Sequence, residues 1–394
     1  MKPLEHLTIL DLSRVLACPF ASMILAELGA TVIKVEQPGA GDETRSFEPR
    51  LAQDSAYYFA CNRSKASITV NLRTPEGQQV VRDLSQQADV LVENFPVGTL
   101  ARYGLDWATL SALNPRLSYV SCTGFGQTGP YAAKKGYDTV FQAMGGLMSL
   151  TGEKGGGPVK PGLPVADLTS GLWVAVGILA MLAGRERTGK GAYLDFSMLD
   201  GQVSLLTLAA ARYFALGEVP PRLGTEHPGR VPSATFRCRD GRYAHITASD
   251  QHWVPLCKAL GLDALAADAS YADNVQRVTH RDEAMAQLAA ACAALDRAEL
   301  IDRLDAVQVP VGPVNDVAEA LADPHVRARR LVGSFDYAGV GEFRALALPY
   351  KFLGWDDPEI GPPPALGAQT DEILEQRLGY TKERIAQLRA AKAL

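Results

Sequence analysis

Short apolar stretches alternate with helix-length segments through the N-terminal third of the chain, and this alternation restricts it to few folds. Leu7–Ser13 reads as a strand, Phe20–Leu28 as an Ala/Leu-rich helix and Thr31–Glu36 as a second strand, which together make a βαβ unit. The pattern repeats: Ser67–Asn71 is a strand, and Thr74-Pro75 opens a helix reaching about Gln87. Proline suits the first helical position because its missing N–H has no partner there anyway. Asp89–Glu93 and Leu117–Ser121 follow as strands. Strands separated by crossover helices pair in parallel, so the sequence predicts an α/β fold with a mostly parallel sheet covered by helices.

The 394 residues exceed one ordinary domain, and the text changes after residue 215. Ala192–Ser197 gives another strand and Leu199–Phe214 another helix, after which Gly217–Arg230 is rich in Pro and Gly. The predicted organisation is therefore a large domain over 1–215, a linker over 216–232 and a smaller α+β domain over 233–310. Residues 311–394 then return to the large domain. In the smaller domain, strands fall at Thr235–Arg237 and Tyr243–Thr247, and helices at Trp253–Leu260, Arg281–Leu295 and Arg297–Ala306.

A net charge of -5 gives no basic surface for nucleic acid, although local basic patches remain available for a phosphorylated ligand. Arg45, Arg63, Lys65, Arg73, Arg102, Lys134 and Lys135 fall on predicted loops of the large domain. The 6 cysteines are scattered without C-x-x-C pairs or histidines at ligand spacing, as expected of reduced thiols in a cytoplasmic protein holding no metal. The N-terminal residues include acids where a secretory segment is apolar. The longest apolar run, Leu168–Leu182, is shorter than the roughly 20 residues a bilayer requires, so it reads as a buried helix and no membrane is expected.

That run is headed by Asp167. One reading makes Asp167 the N-cap of the helix, its oxygen accepting an orphan backbone N–H. Another makes it a nucleophile: an ordinary Asp is ionised at neutral pH, and a helix N-terminus favours the charge by roughly 0.3 to 1 kcal/mol. Composition does not choose between the two. Gly124–Gly129 matches G-x-G-x-x-G after a strand, but Pro130 follows at once and no acid near position 149 is placed to hold a ribose. The loop reads instead as one whose backbone approaches a ligand closely. No G-x-S-x-G elbow or P-loop lysine occurs, which disfavours hydrolase and NTPase chemistry.

As a set, Asp11–Pro19 (DLSRVLACP), Val32–Glu36 (VIKVE), Gly39–Arg45 (GAGDETR), Asn62–Lys65 (NRSK), Val92–Phe95 (VENF), Gly124–Pro130 (GFGQTGP) and Val165–Gly171 (VADLTSG) resemble the class III CoA-transferases, the CaiB/BaiF family. The resemblance continues through Pro310–Pro313 and Leu366–Glu372. It implies a Rossmann-like large domain and two subunits interlocked as a homodimer, with acyl-CoA and small carboxylic acids as partners and coenzyme A passing through as substrate rather than resident cofactor. Asp167 maps onto the family's nucleophile and Asp138 onto an auxiliary carboxylate. Val15, Ala17, Val70, Arg73, Asn94, Arg102, Tyr103 and Tyr137 map onto its CoA contacts, with Arg73 and Arg102 facing the phosphates. Gln37 departs from the arginine found there in formyl-CoA transferase. The related 2-methylacyl-CoA racemases need a histidine where this chain has Tyr137, and a phenol of pKa about 10 is a poor proton carrier at neutral pH.

Within the family, the glycine-rich loop of the formyl/oxalate branch is absent, and Gly224–Pro228 with Arg230–Pro232 look like the branch that moves CoA from succinyl-CoA to dicarboxylates. Acceptors there include hydroxymethylglutarate, glutarate, malate, citramalate and itaconate. A distal carboxylate wants a cation, for which the sequence offers Arg14, Arg45, His227 and Arg230.

Overall fold

The computed structural model describes residues 1–394. Six parallel strands, β1 (Thr8–Asp11), β2 (Thr31–Glu36), β3 (Ala66–Thr69), β4 (Val90–Glu93), β5 (Ser118–Thr123) and β6 (Tyr193–Ser197), form one sheet in the order β3-β2-β1-β4-β5-β6. The order reverses direction between β1 and β4, as in a doubly wound Rossmann sheet. Near-continuous apolar strands such as β4, buried at every residue, reflect cover on both faces.

On one face, helix α1 (Ala17–Glu27) and the 24-residue helix α4 (Val165–Thr188) share a core with Ile9, Val32, Val92 and Val120. On the other, α2 (Pro75–Ser85) and the C-terminal helices Thr370–Leu378 and Lys382–Ala390 bury Val80, Leu84, Leu374 and Leu388. Helix α2 begins as its sequence indicates: Thr74 accepts from the Gly77 amide at 3.1 Å, with Pro75 next to it. A hairpin, Val332–Tyr337 with Gly341–Leu346, sets Phe335 and Tyr337 against Tyr58 and Phe59.

The chain divides into two compact units, one comprising 1–147, 160–211 and 325–394, the other 148–159 and 212–324. The second unit is α+β: β7 (Ser233–Arg237), β8 (Tyr243–Thr247) and β9 (Val311–Pro313) form an antiparallel sheet over helices built around Trp253, Leu256, Leu288 and Leu300. Its bounds differ from the predicted 233–310. The segment read as a linker is tied into it, with Arg281 donating to Glu226 Oε2 and to the carbonyls of His227 and Pro228. Helix Leu199–Phe214 is in fact two, Met198–Ser204 and Thr207–Leu216.

Helix α4 also differs from its prediction. It starts at Val165 and ends at Thr188, long and apolar enough by length and composition to cross a membrane. One side is buried on α1 and the sheet, but Leu172, Trp173, Val176 and Leu179 on the other are exposed. The charged residues Arg185 and Arg187 extend its last turn, and Arg185 is buried in an ion pair with Asp89 at 2.9 Å.

Candidate functional site

Asp167 is the third residue of α4 and is not its cap. The capping carboxylate is Asp138, the first residue of helix α3 (Asp138–Met144), whose Oδ1 accepts from the amides of Ala166 at 2.8 Å and Asp167 at 3.2 Å. Gln142, one turn along α3, donates to Asp138 Oδ2 at 2.6 Å and fixes the carboxylate in that role. The orphan donors of α4 are thus satisfied from another helix, leaving the Asp167 carboxylate without a hydrogen-bond partner in the protein. Burial, with the Asp138 charge behind it, pushes its pKa up to about 7. Asp167 therefore titrates near neutrality and is not fully ionised as composition suggested.

The glycine of the VADLTSG stretch explains why this helix sits where it does. A Cβ at Gly171 would meet the Ala17 carbonyl oxygen at 2.6 Å and the Phe20 ring at 2.9 Å. Its absence lets α4 close on the first turn of α1, one helical turn below Asp167. That brings Asp167 to the loop joining β1 to α1.

This loop is held in an unusual conformation. Val15 has a φ of 69°, left-handed backbone that a β-branched residue rarely adopts and that persists only where surrounding contacts enforce it. The contacts are present: the Val15 amide donates to both Asp42 oxygens at 3.3 Å, and Lys34 Nζ donates to the Ser13 carbonyl and pairs with Asp42, each at 2.9 Å. Asn94 clamps Arg14 by accepting from its amide at 2.9 Å and donating to its carbonyl at 2.7 Å. Beneath them, fully buried Asp11 takes the Ser13 amide at 2.9 Å and Lys65 Nζ at 3.0 Å. Against the cost of burial, Lys65 and Lys34 hold Asp11 well below the usual carboxylate range, whereas burial brings Lys65 itself down to about 8.

Two open spaces meet around this loop. Asp167 and Asp138 line a cavity of about 330 Å3 with Val15, Leu16, Thr44, Phe47, Tyr57, Lys160 and Leu163. Phe47 also lines a cleft of about 790 Å3 along the C-terminal ends of β1, β2 and β3, bounded by Arg14, Gln37, Val70, Arg73, Phe95 and Tyr103. The cleft opens at the strand-order reversal, where doubly wound sheets bind their ligands.

The structure sorts the residues proposed from sequence. Val15 faces the Asp167 cavity, and Val70, Arg73 and Tyr103 line the cleft. Arg102 is exposed and donates to Thr99, which lines the cleft. Ala17 is buried at the start of α1 and Asn94 engages backbone, so both shape the loop. Tyr137 is 82% exposed and lines neither space. Arg14 lines the cleft, its guanidinium 4.8 Å from the Phe95 ring centroid. His227 and Arg230 are exposed residues of the second unit.

Arg45 is not available to a substrate: buried, it donates to Glu36, Asp54, Tyr58 and the Pro364 carbonyl. Arg63 and Lys65 are likewise consumed in buried pairs with Glu27 and Asp11, leaving Arg73, Arg102, Lys134 and Lys135 as the exposed members of the predicted basic set. Gly124 of the glycine loop also has another role, since a Cβ there, like one at Gly136 beyond the loop, would lie 2.5 Å from the Phe141 ring. Those glycines make room for a core aromatic rather than a nucleotide.

Lys34, Asp42, Gln142 and Lys160 were missed. A lysine inside the apolar strand VIKVE and a glutamine four residues after Asp138 were legible signals for two of them. Nothing local marks Lys160.

Comparison with known proteins agrees with this architecture. Residues 4–370 match the family described as CoA-transferase family III. The chain is 39% identical over 389 residues to the succinyl-CoA:glutarate CoA-transferase of Mus musculus, covering 98% of this chain and 89% of that protein. It is 35% identical over 397 residues to the succinyl-CoA–L-malate CoA-transferase beta subunit of Chloroflexus aurantiacus, covering 100% and 98%. A solved CaiB/BaiF family protein from Brucella suis superposes with a TM-score of 0.85 at 40% identity, covering 94% of this chain and 98% of that one. The chain belongs to CoA-transferase family III and is a transferase whose substrates are CoA thioesters.

Proposed function

We propose that the protein transfers CoA from succinyl-CoA to a small dicarboxylic acid, glutarate being the first to test, with Asp167 as nucleophile. The observation that carries this reading is an unpartnered carboxylate on the first turn of α4, in a cavity adjoining a cleft at the sheet's switch point. The names of the relatives support a succinyl-CoA donor and a dicarboxylate acceptor. Hydroxymethylglutarate, malate, citramalate and itaconate are the further acceptors to offer.

In this reaction the Asp167 oxygen attacks the thioester carbonyl, the C–S bond breaks, and CoA leaves as thiolate from a mixed anhydride. The thiolate then attacks the Asp167 carbonyl carbon, which expels succinate and leaves an aspartyl-CoA thioester. An acceptor carboxylate repeats the sequence in reverse and departs as its CoA thioester, regenerating the Asp167 carboxylate. Helix α1 begins without a side-chain cap, so its N-terminal amides are placed to stabilise negative charge near Val15 and Leu16. Val70, Arg73, Arg102 and Tyr103 are assigned to CoA, with Val15, Ala17 and Asn94 shaping the loop it crosses.

Incubation with succinyl-CoA and then hydroxylamine is expected to convert Asp167 to its hydroxamate, and mass analysis with dicarboxylates is expected to show new thioesters. An Asp167→Ala variant that still exchanged CoA would sink the reading. We also infer a homodimer, supported by the exposed apolar face of α4 and by Leu208 and Phe214, each 81% exposed. Light scattering tests it against the 42.2 kDa chain mass.

A further inference from the structure

The Asp167 cavity carries two carboxylates, Asp167 and Asp138, and a single cation, Lys160. Between them the walls are apolar, formed by Val15, Leu16, Phe47 and Leu163. A dicarboxylic acid has the matching layout, with a charged group at each end of a short hydrocarbon. One of its carboxylates must reach Asp167, and the other then needs a positive partner, because a second anion placed in a cavity already holding two acids is repelled.

Of the four cations offered by sequence, none lines this cavity: Arg45 lies buried among Glu36, Asp54 and Tyr58, Arg14 lines the adjoining cleft and pairs with Glu43, and His227 and Arg230 belong to the second unit. Lys160 makes no ion pair. Its Nζ donates only to the neighbouring Pro161 carbonyl, at 3.3 Å, and its long stem stands in solvent-exposed chain just before α4. Thr44 and Tyr57 line the same space, and the Thr44 hydroxyl donates to Asp42 at 2.8 Å.

We propose that Lys160 is the specificity-determining residue of this site, its ammonium binding the distal carboxylate of dicarboxylic substrates and so selecting them over the monocarboxylic acids that lack only that group. The inference rests on Asp167 being the reacting carboxylate. It concerns acceptor and donor alike, since succinyl-CoA also carries a free carboxylate.

The test compares wild-type protein with Lys160→Met and Lys160→Arg, each assayed for kcat/KM with glutarate and with butyrate as acceptors from one common donor, succinyl-CoA, whose own contribution cancels in the ratio. Removing a charge-assisted hydrogen bond to the bound substrate corresponds to about a 10- to 100-fold fall in the glutarate-to-butyrate ratio. The expected result is that fall for Lys160→Met, carried mainly in KM, with most of it recovered in Lys160→Arg. A ratio unchanged in Lys160→Met, or an equal fall for both acids, would overturn the assignment while wild-type turnover left the transferase reading intact. A wild-type protein forming no thioester from glutarate or from any other dicarboxylic acid offered would overturn both.

Discussion

Replacing Asp167 by Asn is expected to stabilise the resting protein at alkaline pH while abolishing CoA transfer. The carboxyl is moved from 3.8 to about 7, first by burial and then by the Asp138 charge. At about 1.4 kcal/mol per pKa unit, that separation corresponds to about 4 kcal/mol favouring the protonated form in the folded protein. Solvent on its open side and the helix N-terminus reduce the effect to about 2 to 3 kcal/mol. The sign follows from proton counting. Between pH 3.8 and about 7 the folded state binds more protons at this site than the unfolded chain does, so stability falls as pH rises. The penalty is fully developed above about 7 and absent below 3.8, where both states are protonated.

Asn preserves the shape and removes the charge. Thermal melts of wild type and variant from pH 4 to pH 8.5 should therefore diverge with pH. With an unfolding entropy of about 2.1 cal/mol/K per residue, 2 to 3 kcal/mol over this chain raises the melting temperature by about 3 °C at pH 8. A difference independent of pH, or a wild type more stable than Asp167→Asn at pH 8, would refute the account of Asp167 as a desolvated acid.

Other consequences follow from the same geometry. The kcat/KM profile should rise with pH through an apparent pKa near 7 as Asp167 ionises, and Asp138→Asn, which keeps the capping oxygen and removes the charge, should move that limb to lower pH. Gly171→Ala should lose both stability, by about 1 to 3 kcal/mol, and CoA transfer, because its Cβ would meet the Ala17 carbonyl at 2.6 Å and lift α4 from α1; chemical denaturation and steady-state assay measure the two. Lys34→Met leaves Asp42 buried without its cation, so denaturation should show a loss of about 3 to 5 kcal/mol, with KM for the CoA thioester rising as the Ser13–Val15 loop relaxes. Arg45→Met should destabilise the fold similarly without changing the preference among acids, a result that competition between glutarate and butyrate would reveal.

Much of the fold was legible in local sequence. Strand and helix periodicity gave the parallel sheet, and Thr74-Pro75 announced α2 in its own residues, because a cap is satisfied within one turn. The resemblance pointed to Asp167 and Asp138 as the carboxylates of interest. Their division of labour was not legible: the residue heading the apolar run looked like its cap, yet the capping oxygen is Asp138 Oδ1, a contact across 28 residues.

Length, alternation and the VADLTSG motif therefore determined an α/β transferase chain and the acid at its centre. Tertiary structure decided which charges face the cavity. Arg45 and Lys160 are equivalent in sequence as cations on loops, but one is enclosed by Glu36 and Asp54 and the other opens on the cavity. Electrostatic roles depend on burial and on partners distant in the chain, and residue type alone carries neither.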